Sequence, residues 1–475
     1  MVQSRTIEPA EGFRVRSLEF QDIKMATIKR NEIFILILTF VIVVVQSAQT
    51  SIAQFSLAPP NINATPLPVG SGARAIGQGG AFIAVADDAT AASWNPGALI
   101  QLERPEFSIV GSYLATQQDF DPGSTPLELG NESVSRGDLN YVSAAYPFRI
   151  FRKNFVAALN YQQVYDFHMN LDFDRTIPLR AGSLTDRINF ESKGGVGALT
   201  PAISMLVMPK LSIGVAINFY TDEFFGDYAW RKTLTQTGSG LLGTTPFTTS
   251  GKFETTYKNF QAVNVTTGLL WDVWEKEDKL LTFGAVYDTP YTANVDRITN
   301  GESMLSMMGR TFKTQLPETR EHFKEDYPMS FGAGLGFRYS DALSFSMDVT
   351  WTDWSEFKQE DENGNESRPL GGASTDTRIG DTYAVRSGAE YLIFKQKVII
   401  PVRGGLFYEP RPSLDDPVDV YGFSVGSGIT FKRFSIDAAY QFKWAHDVDG
   451  EDFGLPGTKF NFNDHMFLTS LIVYF

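Results

Sequence analysis

The chain has 475 residues, a formal net charge of −14 and no cysteine. A chain without cysteine can form neither a disulfide framework nor a thiolate metal site. Its acidic balance argues against a nucleic-acid partner, which requires a basic surface. The abundance of glycine, phenylalanine and tyrosine, at 41, 38 and 18 residues, favours a protein built from many strands and turns.

The first part of the chain contains one strongly apolar segment, Ile33–Val45. It follows two basic residues and leads to the small residues Ser51-Ile52-Ala53, an order typical of a secretory signal peptide. We therefore assign residues 1–53 to a leader and signal peptide, in which Met25 is either the true start or part of an extended leader. A membrane anchor is the alternative, although the apolar run is short for a membrane-spanning helix.

Beyond residue 104, apolar and polar residues alternate with the period of two that a β-strand requires. In the segment Phe434–Trp444, one large or small apolar residue occupies every second position. About fourteen such segments follow one another, long enough to cross a bilayer at a tilt. Their approximate spans are 105–116, 138–148, 154–168, 190–207, 211–224, 254–272, 279–292, 327–339, 342–355, 381–393, 397–409, 418–431, 433–446 and 463–475.

The connections between these segments alternate strictly between short and long, and the longest runs from about Tyr291 to Asp326. Short periplasmic turns and longer external loops on an even number of strands are typical of a transmembrane barrel. Strands in lipid must also close on themselves, because no backbone hydrogen bond can be left open there. We therefore predict an all-β fold, a transmembrane antiparallel barrel over residues 105–475; a soluble β-protein is the alternative.

Residues 54–104 precede the first strand and differ from the rest in composition. They form an N-terminal extension followed by a segment rich in glycine and alanine. Small residues allow tight backbone paths between close walls, so this segment suits a plug that folds inside the barrel. The glycines concerned are Gly70, Gly72, Gly77, Gly79 and Gly80.

Within this segment, Asp87 or Asp88 is placed to cap a short helix over Ala89–Trp94. Asn95-Pro96-Gly97 then predicts a turn. The two adjacent aspartates also invite a metal-binding interpretation, but no further carboxylate stands at ligand spacing, so we expect no metal and no cofactor. Two histidine–aspartate neighbours later in the chain suggest a hydrolase dyad; we favour polar rim contacts and expect no enzymatic activity.

The segment 72–99 resembles the N-terminal hatch of the FadL-type long-chain fatty-acid transporters. It carries Gly-Ala-Arg-Ala, Gly-x-x-Gly-Ala-Phe, Ala-Asp-Asp-Ala and an Asn-Pro motif in the order of that family, and Asp348–Phe357 resembles one of its strand ends. The resemblance implies a fourteen-stranded barrel in the outer membrane of a Gram-negative bacterium, plugged by a hatch. The positions that carry the hatch and its gating are Gly77, Gly80, Asp87, Asp88, Asn95, Pro96 and Gly97; Gly97 replaces the family's alanine and should loosen the turn slightly.

The family also releases its ligand sideways, through a gap made by a kink in the third strand. The predicted third strand here, Phe155–His168, contains neither glycine nor proline. Its neighbour contains Pro201, which cannot donate a hydrogen bond to a strand ladder. We therefore expect Pro201 to mark the lateral opening.

The longest loop carries apolar residues at helical spacing, and methionine adapts to varied apolar ligands. We interpret this stripe, with Trp230 of the other long loop, as a capture groove for an apolar chain. The alternative is that the two loops simply pack on each other as a lid. A carboxylate headgroup would need a cation inside the barrel, for which Arg338, Arg386 and Lys443 are unranked candidates. The stripe consists of Met304, Met307, Met308 and Phe312.

These features together predict a channel for passive uptake of hydrophobic compounds such as long-chain fatty acids, gated by the hatch and releasing its ligand laterally. The expected partners are the hydrophobic small molecule or fatty acid, outer-membrane lipid and lipopolysaccharide, around a monomeric barrel. The alternative function is an outer-membrane barrel whose external loops bind or shuttle secreted proteins.

Overall fold

The computed structural model describes residues 67–68, 70–123, 125, 127–224, 228–367, 379–413, 416–450 and 457–475. The predicted signal peptide, residues 1–53, and nearly all of the N-terminal extension lie outside the described residues. All described residues belong to one compact unit, so the hatch and the barrel are not separate bodies. No helix among them has the length and apolar character needed to span a membrane.

Fourteen antiparallel strands form a closed barrel, because β14 pairs with β1 from Glu106–Tyr474 to Asp121–Lys459. This confirms the predicted fold class, and each predicted segment overlaps one barrel strand. The strands are β1 Glu106–Asp121, β2 Asn131–Ile150, β3 Lys153–Asp166, β4 Gly195–Met208, β5 Leu211–Thr221, β6 Thr245–Lys276, β7 Lys279–Asp288, β8 Ser330–Arg338, β9 Leu343–Thr352, β10 Thr382–Phe394, β11 Ile399–Tyr408, β12 Tyr421–Thr430, β13 Phe434–Asp449 and β14 Lys459–Tyr474.

The outer wall of the barrel is apolar, as the period-two pattern predicts. On β8 and β9, Leu335 and Met347 lie opposite each other and are 48% and 51% exposed, while the alternate Gly334 and Asp348 are buried inside. In water such a wall would be unstable, whereas in a bilayer the same side chains contact lipid tails. The alternation therefore fixes which face of each strand meets the membrane.

Connections of two to four residues lie at one end of the barrel, here called the turn end, and all long connections lie at the other, the hairpin end. The predicted alternation is thus confirmed, but three of the long connections, those after β3, β5 and β7, consist mainly of strands and not of loops. At the hairpin end these connections continue as strands that extend the same continuous sheet, and we call this extension the hairpin sheet. It contains Met169–Leu179, Gly182–Lys193, Trp230–Leu242, the first half of β6, Tyr291–Met307 and Arg310–Tyr327.

The hatch, residues 70–104, contains two short α-helices, α1 (Ala73–Gly77) and α2 (Ala91–Trp94), and a 3-10 helix, Pro96–Gln101. The predicted helix over Ala89–Trp94 is shorter than expected and has Thr90 as its N-cap residue. Asp88 supports this start by accepting hydrogen bonds from the Thr90 backbone N–H (2.8 Å) and hydroxyl (2.6 Å).

The predicted Asn95-Pro96-Gly97 turn is the start of the 3-10 helix, with proline in its first turn. The Asn95 side-chain oxygen accepts a hydrogen bond from the Gly97 N–H at 2.9 Å. A Cβ at Gly97 would lie 2.8 Å from the backbone of Gly268 on β6. Glycine therefore lets the hatch approach the wall, a role different from the looser turn expected from the sequence.

The barrel wall also has glycines where it contacts the hatch. A Cβ at Gly405 of β11 would lie 2.2 Å from the backbone nitrogen of Gly79, and one at Gly214 of β5 would lie 2.2 Å from the backbone of Pro96. Distances this short require a missing side chain on the barrel strand. Glycines on both partners therefore allow backbone to pack directly on backbone.

Candidate functional site

Wall side chains hydrogen-bond to the backbone of the hatch from many strands. Asp348 of β9 accepts from the N–H groups of Phe82 (2.6 Å) and Ile83 (2.9 Å) with one oxygen. The Ser424 hydroxyl of β12 accepts from the Gly79 N–H at 2.8 Å. Further contacts run from Ser204 and Ser212 to the Gly97 carbonyl, from Tyr141 to the Ala89 carbonyl, from Asn95 to the Leu269 carbonyl and from the Ala73 N–H to Ser470.

A chain of charged side chains, buried on the wall and partly exposed on the hatch, attaches the hatch to β10, β11 and β13. Arg74 of α1 pairs with Asp87 of the hatch and donates to Glu390 of β10 at 3.1 Å. Arg403 of β11 donates to Glu390 and to Asp437 of β13, both at 2.6 Å. Removing one member would leave an uncompensated charge in a low-dielectric interior. Asp87, a predicted gating residue, thus pairs with the arginine that links the hatch to the wall.

The barrel wall has a break in its backbone pairing between β2 and β3. The two strands pair from Ile150–Lys153 at the turn end up to Tyr141–Gln162, and no described backbone pair joins them beyond that point. Each strand carries an extra residue there, seen as a register shift against its other neighbour: Asn140 in β2 and Val164 in β3. A bulge bends its strand, so two bulges at one level turn the strands apart. We call this break the seam.

Pro201, the residue predicted to mark the opening, does not lie at the seam. It stands opposite Leu159 in the continuous β3–β4 pairing, and the β4–β5 register is the same before and after it. Its side chain is exposed on the outer wall. Pairs are missing from the β4–β5 ladder at Thr200 and Pro201, but the register is kept, and the seam lies at the other edge of β3.

Two features cross the seam. The short strand Leu67–Pro68 pairs with Tyr165 and Asp166 of β3 on the edge that faces β2. The Gly70 carbonyl, just after this strand, accepts a hydrogen bond from Asn140 of β2 at 3.1 Å. The segment that leads into the hatch thus takes the place of a missing strand pair.

A side-chain ion pair also bridges the seam. Arg136 of β2 pairs with Asp166 of β3 and also contacts Asp138 at 3.3 Å. His168 lies at the same point, with its Nδ1 2.9 Å from the Asp166 carboxylate. Side-chain contacts and the short strand Leu67–Pro68 therefore join the two edges of this part of the wall, whereas backbone ladders join the other strands of the barrel.

A cavity of about 430 Å³ lies above the hatch and reaches the seam through Arg136, Gln162 and Val164. One side of it is aromatic. Tyr291 stacks on Tyr220 and on Tyr327, with ring centroids 4.7 and 4.8 Å apart, and Trp354 and Tyr165 complete this side. Such a wall offers apolar contact area together with hydroxyl groups.

A belt of neutral polar groups lines the cavity next to these rings. Asn218 donates to Asn264 at 2.7 Å and to Thr266 at 2.9 Å, and Thr200 donates to Asn218 at 2.7 Å. Thr266 in turn donates to Asp288 at 2.5 Å. The groups of this belt satisfy one another, whereas Asn160 Oδ1 and Gln441 Oε1, elsewhere in the cavity lining, are buried without a hydrogen-bond partner among the described residues.

Two of the three cations predicted as candidates for headgroup binding lie in the cavity, and the third does not. Arg386 and Lys443 line the cavity, whereas Arg338 lies exposed at the turn end of β8. Glu409, directly after β11, holds both lumenal cations: Arg386 Nε donates to its Oε1 and Lys443 Nζ to its Oε2, each at 2.6 Å. A Cβ at Gly80 would lie 3.2 Å from Arg386 Cδ, which places this group directly against the hatch.

The methionine stripe is not a helical face. Met304 and Met307 belong to the strand Tyr291–Met307, Met308 lies in a two-residue turn with positive φ, and Phe312 follows in the next strand. A strand places Met304 and Met307 on opposite faces. The helical spacing was misleading because four apolar residues in an alternating hairpin match that period by chance.

Trp230 does not join the methionines. Met307 pairs with Phe247 and Trp230 with Tyr257, ten positions along β6, which corresponds to about 33 Å. Trp230 instead stacks between Phe167 (4.7 Å) and Tyr257 (4.4 Å) in a buried cluster above the cavity. This placement favours the lid alternative for Trp230.

Sequence reasoning missed the two bulge residues and Glu409. Neither Asn140 nor Val164 is a glycine or proline, the usual markers of an irregular strand. Glu409 stands at the predicted end of a strand, where a charged residue is ordinary. Only the register on both sides of a strand, or the partners of a side chain, identifies these positions.

Comparisons with known proteins agree with this architecture. The family model described as outer membrane protein transport protein (OMPP1/FadL/TodX) matches residues 47–464. A FadL homologue from Pseudomonas aeruginosa has a TM-score of 0.52 at 14% identity, over 87% of this chain and 99% of that one. The toluene transporter TodX from Pseudomonas putida has a TM-score of 0.50 at 11% identity, over 87% and 100%.

A TodX deltaS2 mutant, described as a monoaromatic hydrocarbon channel, gives a TM-score of 0.54 at 13% identity, over 86% of this chain and 99% of that one. Identities this low support the fold alone. Among curated proteins no match was found. Because the family model spans most of the sequence, the chain belongs to the OMPP1/FadL/TodX family of outer-membrane transport proteins, which are channels for hydrophobic compounds and not enzymes.

Proposed function

We propose that this chain takes up hydrophobic compounds from outside the cell and releases them sideways into the outer membrane through the seam between β2 and β3. The observation that carries the proposal is the paired bulge at Asn140 and Val164, which parts the two strands beside the cavity. A ligand in the cavity contacts Gln162 and Val164, the residues at the base of the seam.

The attachment of the hatch supports a lateral route over an axial one. Passage along the barrel axis would require the hatch to leave, and this would break the Arg74–Glu390 pair and the bonds from Asp348 together. Buried charge pairs and buried backbone groups are costly to separate. We therefore assign the hatch the role of a fixed plug, and not of a mobile gate as the sequence suggested.

We assign the gating movement to the segment Leu67–Gly70 and to the Arg136–Asp166 pair. Two backbone pairs and one amide contact hold this segment, whereas continuous ladders hold the neighbouring strands. Short, sparsely bonded segments open at lower free energy than core strands. Ligand binding that favours the displaced segment would shift the population toward an open seam.

Uptake by whole cells tests the proposal. A Gram-negative host that makes this chain should take up radiolabelled toluene and octan-1-ol about five to ten times faster than the host alone, because the outer-membrane barrier to such compounds is by-passed. A hydrophilic solute of similar size serves as the matched control and should not enter faster, since the hatch seals the lumen. No acceleration of any hydrophobic compound, or equal acceleration of the hydrophilic solute, would contradict the proposal.

Long-chain fatty acids, a monomeric barrel and contacts with lipopolysaccharide remain predictions within this proposal. The hairpin sheet would stand outside the cell if the turn end faces the periplasm, as the short turns of such barrels do. A long external sheet also suits a protein partner. Equal uptake with and without the chain, together with a co-purifying secreted protein, would favour that second function.

A further inference from the structure

The charges that line the cavity are balanced within the protein. Four cationic side chains and four carboxylates line it. Arg411 donates to Asp464 at 2.7 Å, Arg136 pairs with Asp166, and Arg386 and Lys443 share Glu409. Each described cation that lines the cavity therefore already has an anionic partner.

Glu409 is the member of this set that matters most for a ligand above the hatch. It bridges two cations with its two separate oxygens at 2.6 Å, and all three side chains are only 19–21% exposed. Burial raises the pKa of the Glu409 carboxyl, but the attraction of Lys443 and Arg386 outweighs it and lowers that pKa to about 2. The group is thus ionised at every pH at which a cell grows.

An anionic ligand entering this cavity meets no open cation. To bind Arg386 or Lys443 it must separate charge-assisted hydrogen bonds and leave the Glu409 carboxylate without a partner in a confined space. A neutral ligand avoids this cost, and it gains contact with the tyrosine side of the cavity and with the neutral amide and hydroxyl belt. The preference for neutral over anionic ligands thus follows from the Glu409 carboxylate.

We propose that Glu409 is a specificity-determining residue that occupies the lumenal cations Arg386 and Lys443 and so restricts the channel to uncharged hydrophobic compounds. This inference rests on the proposed function and deepens it, because it predicts that the fatty acids suggested by the sequence are accepted in their protonated, uncharged form and not as carboxylates. It also assigns a role to the segment after β11, which carries Glu409 into the lumen.

The test compares octan-1-ol with octanoate, which have equal chain length, at pH 8. Binding to the purified full chain in non-ionic detergent is measured by isothermal titration. The native chain should bind octan-1-ol about ten times more tightly than octanoate, the factor that one unpaired charge-assisted bond corresponds to. Glu409→Gln should raise octanoate affinity by about tenfold while octan-1-ol affinity changes by about twofold or less.

Three variants separate this from a general disturbance. Glu409→Asp keeps the charge and should retain the preference for the alcohol. Glu318→Gln, on the exposed Glu318–Arg320 pair of the hairpin sheet, removes a charge elsewhere and should leave both affinities unchanged. Asp464→Asn releases Arg411 instead and should raise octanoate affinity by less than Glu409→Gln, because one cation is freed and not two.

The outcomes are distinguishable. If the alcohol-to-octanoate ratio is the same in the native chain and in Glu409→Gln, with both ligands bound, the inference is overturned and the proposed function stands. If the native chain binds octanoate as tightly as octan-1-ol, the inference is overturned as well. If neither compound binds the native chain and neither is taken up by cells, the proposed function itself has failed.

Discussion

Arg403→Met is expected to destabilise the barrel wall at the point where Arg74 attaches the hatch. Among the described residues, the substitution leaves Asp437 with the Ser435 hydroxyl as donor and Glu390 with Arg74, so two buried carboxylates lose their main partner. Breaking a buried pair by removing one side costs about 3–5 kcal/mol. In planar bilayers the variant should show ion conductance that the native chain lacks, and urea should unfold it at a lower concentration.

Two further variants show whether the charge chain is the cause. Arg187→Met removes an ion pair with Asp172 whose arginine is 65% exposed, and it should change neither conductance nor unfolding noticeably. The double variant Arg403→Met, Asp437→Asn keeps Glu390 paired with Arg74 and removes the carboxylate that lost its partner, so it should recover most of the loss. A closed, fully stable Arg403→Met barrel would show that the hatch is held by its hydrogen bonds alone.

Deleting both bulge residues, Asn140 and Val164, is expected to close the seam and stop uptake. The deletions make Val110–Tyr141 and Gly111–Leu139 consecutive pairs on β2, and Gln163–Gly197 and Tyr165–Val196 consecutive pairs on β3. Regular strands keep their register and have no cause to part. We expect uptake of octan-1-ol by cells to fall by about tenfold or more, the effect of losing the low-barrier exit that we propose at the seam.

The matched control is a bulge away from the seam. Val207 is the extra residue at the register shift between Leu206 and Met208 near the turn end, and its deletion should leave uptake unchanged. Both variants should migrate as folded barrels in unheated gels. Normal uptake by a folded double-deletion barrel would mean that the compound leaves by another route.

The strands and the hatch were predictable because each depends on a repeated local rule. Lipid outside the barrel and a packed hatch inside it impose alternation of apolar and small or polar residues on every strand. Close backbone contact requires glycine at Gly79 of the hatch and at Gly405 of the wall, and the glycine-rich segment Gly77–Leu99 contains the first of these. The number of barrel strands could thus be predicted from a single sequence.

The seam, the pairing of Glu409 with Arg386 and Lys443, and the hairpin sheet could not be predicted in this way. A bulge at Asn140 or Val164 depends on register with two neighbours, and Glu409 gains its role only from Arg386 and Lys443 on other strands. The hairpin strands carry few apolar residues each, so their alternation is too weak to separate from loop composition, and helical spacing at Met304–Met308 arose by chance.

The route of the compound is the central claim, and photolabelling tests it most directly. A long-chain alcohol that carries a diazirine is supplied to cells, irradiated, and located in the chain by mass spectrometry. The account predicts labels on both edges of the seam, around Leu139 and Val164. Labels on the turn end of the hatch, around Gln101 and Leu102, with none at the seam, would show passage along the barrel axis and contradict the account.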